Sequence, residues 1–119
     1  MKHPRGNPFG RTFGPFYKAD GTLYDFAGVE DIIFVIKENK TDLDSAALAL
    51  TNVASGVDWD SAAGTVWVPI TRVGMAAVPV GEWYIGMQEE PSGEEYYLTE
   101  NGKRIDTIEI VQDIVVGGA

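Results

Sequence analysis

Apolar and polar residues alternate with a period of two along much of the chain, the spacing that sends successive side chains to opposite faces of a strand. In residues 30–37, Ile32, Phe34 and Ile36 fall on one face and Ile33 and Val35 on the other. An apolar run on both faces predicts a strand covered on both sides. Residues 79–88 set Trp83, Ile85 and Met87 against Glu82, Tyr84 and Gln88, with Gly81 allowing a sharp entry. Thr65–Ile70 turns Val66, Val68 and Ile70 inward and Trp67 outward. Pro69 cannot donate to a ladder, so this segment reads as an edge strand or its frayed end.

Shorter strands fit residues 46–51, where Leu48 and Leu50 alternate, and residues 57–60, 96–99 and 105–115. Residues 71–78 cross between sheets with one helical turn. Turn signals separate these runs: Asp20-Gly21, Gly64 in a four-residue loop, the charged stretch 89–95, and Asn101-Gly102. Seven or eight short strands, with turns every ~8–12 residues, predict an all-β chain folded as an immunoglobulin-like antiparallel β-sandwich. Glycine, one residue, a large aromatic, one residue, then an apolar residue is how a corner feeds a central strand of such a sandwich. Ile33 and Val35 then need a cover.

The first eighteen residues read differently. Pro4, Pro8 and Pro15 exclude a helix, and the interspersed glycines resist regular structure. Phe9, Phe13 and Phe16 are too much apolar area for a solvated tail. The expected organisation is an extended arm, residues 1–18, on a sandwich of residues 19–119. The arm is expected to lie on a neighbouring subunit, with Phe9, Phe13 and Phe16 buried there and Arg11 meeting acidic groups. Ile33, Val35 and Trp67 complete the expected interface, Ile33 and Val35 covered by the arm or by another subunit.

Charge sharpens this division. The net charge is −9, but residues 1–18 carry Lys2, Arg5, Arg11 and Lys18 with no acid, +4, and the remainder carries −13. An acidic body repels phosphate, so nucleic-acid binding through it is not expected. No apolar run reaches the ~20 residues of a membrane span. Neither membrane contact nor a cofactor is expected. With no cysteine and one histidine, His3, neither a zinc site nor a Ser-His-Asp triad is expected. The pairs Asp42/Asp44 and Asp58/Asp60 lack the glycine and further oxygen ligands of a calcium loop and read as turn acids. Trp59, Trp67, Tyr84, Tyr96 and Tyr97 leave room for a second function, stacking on sugars.

Several of these segments also carry a likeness. Asp20-Gly21-Thr22, Asp25-Phe26-Ala27-Gly28 before Ile32-x-Phe34-x-Ile36-Lys37, Gly64-x-Val66-x-Val68, and Pro79-x-Gly81-x-Trp83-x-Ile85 together span most of residues 19–113. In these the sequence resembles the small immunoglobulin-like domains of tailed-phage virions, particularly the N-terminal domain of upper baseplate proteins. Trp83 stands where that family usually has tyrosine. The resemblance implies a non-enzymatic assembly role in the virion, joining tail, baseplate, neck or capsid proteins and copies of itself. The competing expectation is a carbohydrate- or host-surface-binding module.

Overall fold

A computed structural model of the chain describes residues 1–100 and 103–112. Among these, the strands are β1 (Lys2–Pro4), β2 (Phe9–Phe13), β3 (Asp31–Lys37), β4 (Ala49–Thr51), β5 (Asp58–Asp60), β6 (Thr65–Ile70), β7 (Gly81–Glu90), β8 (Thr99–Glu100), β9 (Lys103–Arg104) and β10 (Thr107–Val111). One short helix, α1 (Arg72–Ala76), joins β6 to β7. The order β1-β10-β7-β3-β4 makes a five-stranded sheet, β2-β6-β5 a three-stranded one, and β8-β9 a small hairpin. The chain is therefore all-β and sandwich-like.

The alternating pattern of β3 decides where the core sits. Ile32, Phe34 and Ile36 have no exposed surface. Directly paired residues share a face, so Glu89, Met87 and Ile85 of β7 line the same side. The small sheet answers with Val66, Val68 and Ile70, all buried. Phe34 lies between two rings of that sheet, Phe9 and Phe13, each with its centroid 5.6 Å away and its plane nearly parallel. At the corner into β7, Gly81 has φ of +149°, and a Cβ there would come within 2.9 Å of the Trp83 ring. The Trp83 indole N–H donates to the Pro79 carbonyl at 2.8 Å, which closes the corner. Trp83 itself is half-buried at the margin of the core. Thr71 caps α1 by accepting from the Gly74 amide at 3.1 Å.

Four expectations change. First, the N-terminal segment is no arm: β2 pairs with β6 throughout its length, and β1 pairs with β10. Phe9 and Phe13 stand four apart, hence on one face of a strand, and burying both there is the most apolar area the segment can hide. The proposed boundary at residue 18 thus cuts through the core. Second, β1 and β10 run parallel, so the larger sheet is mixed. Third, β6 is the middle strand of its sheet; β5 pairs only with Thr65–Trp67, and Pro69 stands beyond the end of that ladder. Fourth, residues 96–98 form no ladder strand. Asn101, Gly102 and residues 113–115 lie outside the described residues, but the β8–β9 pairing flanks the expected Asn-Gly turn.

Arg11 also faces inward, opposite Val68, and its Nη2 donates to the Lys2 carbonyl at 3.2 Å. It thereby straps the edge of the small sheet to the edge of the large one. With Phe9 and Phe13 each only 3% exposed, Phe13→Ala should cost about 3–5 kcal/mol in chemical denaturation. Deleting residues 1–16 should leave an unfolded chain by circular dichroism rather than a folded body.

Candidate functional site

The outer face of the large sheet sets Ile33 beside Gln88, Val35 beside Gly86, and Lys37 beside Tyr84. After Pro91 the chain returns briefly along β7: the Glu89 amide donates to the Glu94 carbonyl at 2.9 Å and the Tyr96 amide to the Met87 carbonyl at 2.8 Å. It then leaves the sheet through β8 and β9 and rejoins at Asp106, whose carbonyl accepts from the Ile85 amide at 3.0 Å. This excursion and the loop at 40–44 wall a cleft of about 220 Å³ whose floor is Ile33, Val35 and Gly86. The cover that Ile33 and Val35 require thus comes from the chain's own residues 95–98 and 104–106. It is good enough to leave Val35 only 8% exposed.

The walls are aromatic and charged. Tyr84 and Tyr97 line the cleft, with the Lys40 ammonium 5.2 Å from the Tyr84 ring and the Arg104 guanidinium 4.4 Å from the Tyr97 ring. Lys37 Nζ lies 2.7 Å from Asp44 Oδ1, and Lys40 Nζ lies 3.8 Å from Asp106 Oδ2. Beyond Tyr97 a second, open hollow of about 590 Å³ runs past Tyr96 to Phe16 and Tyr17.

A different cluster sits at the far end of β7. Glu89, on the inward face and 4% exposed, accepts from the hydroxyls of Tyr24 at 2.7 Å, Tyr96 at 2.5 Å and Ser92 at 2.8 Å. Burial pushes its carboxyl up, but the hydrogen bonds from Tyr96, Tyr24 and Ser92 outweigh that and hold it below the usual carboxylate value. Burial and the Glu89 acceptor push Tyr24 up to about 12 and Tyr96 further up still. An ionised carboxylate held low is a weak base, and hydroxyls held high are poor proton donors, so the arrangement clips loops together rather than moving protons.

The residues singled out from the sequence are scattered. Phe9 and Phe13 are core, Phe16 is half-buried with its ring 4.9 Å from Tyr96, and Arg11 straps the two sheets. Ile33 and Val35 meet in the cleft floor. Trp67 points outward as expected, 45% exposed, but lies over Gly10 of β2, its neighbour in the small sheet, and lines neither cavity. His3 donates from Nε2 to the Asn7 carbonyl at 2.9 Å and fixes the β1–β2 turn. Asp60 accepts from the amides of Ala62 and Ala63, and Asp42 from that of Asn39, as turn acids do. Among the described residues no three His, Asp or Glu side chains converge as metal ligands, and no helix is long and apolar enough to cross a membrane. Gly86 and the Glu89 cluster were not singled out; a glycine in the middle of an otherwise regular strand is the signal that marks the former. The chain matches no family model, no curated protein and no solved structure.

The shifts at Glu89 and its tyrosines fix two pH limits. A lowered carboxyl contributes stability above its unfolded value of about 4.5, and the contribution is lost as pH falls through the native value. Raised tyrosines contribute fully below about 10, and Tyr24 loses its share as pH rises through about 12. Glu89→Ala should cost about 1–3 kcal/mol at neutral pH by stranding the partly buried hydroxyls of Tyr24 and Tyr96. In an ultraviolet titration the same change should bring the late-ionising tyrosines down toward pH ~10.

Proposed function

We propose that the chain is an immunoglobulin-like, non-enzymatic assembly module of a tailed-phage or prophage virion. It joins tail, baseplate, neck or capsid components, or copies of itself, and resides in the particle. The strand order supports the immunoglobulin-like assignment. A three-stranded sheet of the second, sixth and fifth strands faces a sheet in which the third, seventh and last strands are neighbours, as in Greek-key sandwiches of that class. The corner at Gly81 and Trp83 adds to it.

One observation carries the assembly role. The large sheet ends in β4, a strand with no neighbour on its far side among the described residues. Before, on and after it stand Leu43, Leu50 and Val53, exposed by 75%, 44% and 41%. An open sheet edge set among exposed aliphatic side chains is a ready surface for another chain. The inward commitment of Phe9 and Phe13 moves the expected contact from the N-terminal segment to this flank. Glu89, its carboxylate engaged by three hydroxyls, supplies no poised base.

Mass spectrometry of purified particles should find the wild-type chain. The variant Leu50→Lys with Val53→Lys should fold, because both side chains are exposed, yet be missing from particles. Particles lacking the wild-type chain, or carrying the variant at wild-type level, would sink this assignment.

A further inference from the structure

The cleft beside Tyr97 and Arg104 is not lined by Leu43, Leu50 or Val53, the residues of the assembly contact, and its chemistry selects a kind of ligand. We infer that it binds a neutral sugar ring, one pyranose unit of a glycan. Gly86 is the first reason. It occupies the middle of β7, where a glycine weakens a strand, and its backbone is not left-handed. A Cβ there would touch only the Val35 side chain, at an ordinary 3.7 Å. Among the described residues nothing crowds that position. What the missing side chain does is keep the floor bare beside Val35, so that a ligand can approach the backbone closely.

The walls supply the second reason. Arg104 and Lys40 each cover a face of Tyr97 and Tyr84, and Tyr97 remains 68% exposed. Tyr97, which lines both this cleft and the neighbouring hollow, offers an apolar ring of the kind on which the C–H face of a sugar rests. The charges supply the third. Lys37, Lys40 and Arg104 are balanced by Asp44, Glu95 and Asp106, so the lining has no net charge. It sets donors beside acceptors, Lys37 by Asp44 and Lys40 by Asp106, which suits hydroxyls that both donate and accept. An anionic ligand would gain no net attraction in the cleft and would meet repulsion from a chain of net charge −9. At about 220 Å³ the space lies below the ~300–1,000 Å³ of pockets for larger ligands, which limits the buried part to a single ring.

The test is a nuclear magnetic resonance titration of the whole chain with neutral hexoses, N-acetylhexosamines and their short oligomers, beside sialic acid and a hexose phosphate. Binding should be weak, with Kd about 1 mM. Shifts should gather on residues 33–37, 84–88 and 97–106 for a neutral sugar and be absent for the anionic ones. Tyr97→Ala should weaken binding about tenfold. Gly86→Val, whose branched side chain suits a strand and fills the floor, should abolish binding while the denaturation midpoint holds or rises. Trp67→Ala should change nothing. No response to any neutral sugar, tighter binding of an anionic one, shifts around Trp67, or wild-type binding by Gly86→Val would each overturn the assignment. Since none of these readouts involves particles, the assembly role stands or falls separately.

Discussion

The three-ring stack of Phe9, Phe34 and Phe13 is the contact on which the rest of the molecule depends. Aromatic pairs of this kind contribute about 0.5–1.5 kcal/mol each beyond the area they bury. More important is what they connect. Phe34 sits in β3, flanked in the large sheet by β7 and β4, whereas Phe9 and Phe13 belong to the edge of the small one. Holding β2 in place brings β1 with it through a short turn, which His3 fixes by its bond to Asn7 and Arg5 fixes by donating from its amide to the Val111 carbonyl at 2.8 Å. The first and last described strands thus come together because a phenylalanine near residue 34 needs neighbours on its inner side.

That same commitment leaves the outer side of β3 to be covered by something else. β7 is ten residues long and β10 pairs with only its first four. The remaining length is met by the brief return at residues 94–96, and the chain between the two contacts has to step off the sheet and come back. The cleft is the space left by that step. Its existence follows from one long strand outlasting its partner.

Much of this was legible in the residues. The two-sided apolar run at 32–36 marked a strand covered on both faces, and Gly81 before Trp83 marked the corner, because steric limits at glycine and alternation at strands act locally. The N-terminal segment was misread for the converse reason. Pro4 ends the first short strand, Pro8 and Gly14 flank the second and Gly10 lies within it, and the spacing of Phe9 and Phe13 gains meaning only once Phe34 lies across from them. The cover over Val35 was legible as a need but not as an answer. Which segment folds back over a sheet face is set by pairing between residues far apart in sequence, such as Ile85 with Asp106. Glu89 was read as part of a charged turn, since nothing in a run of acids tells which one turns inward; Tyr24 and Tyr96 decide it.

The strap at Arg11 has a consequence for how copies meet. A strand arriving from outside to lengthen the small sheet at β2 would have to lie against an inward-directed guanidinium and disturb its bond to Lys2, an arrangement that discourages sheet extension. β4, three residues long at an edge of the large sheet, pairs with β3 alone among the described residues, and its shortness is its guard. The two edges thus resist an incoming strand by different means, a bonded guanidinium on β2 and too little length on β4.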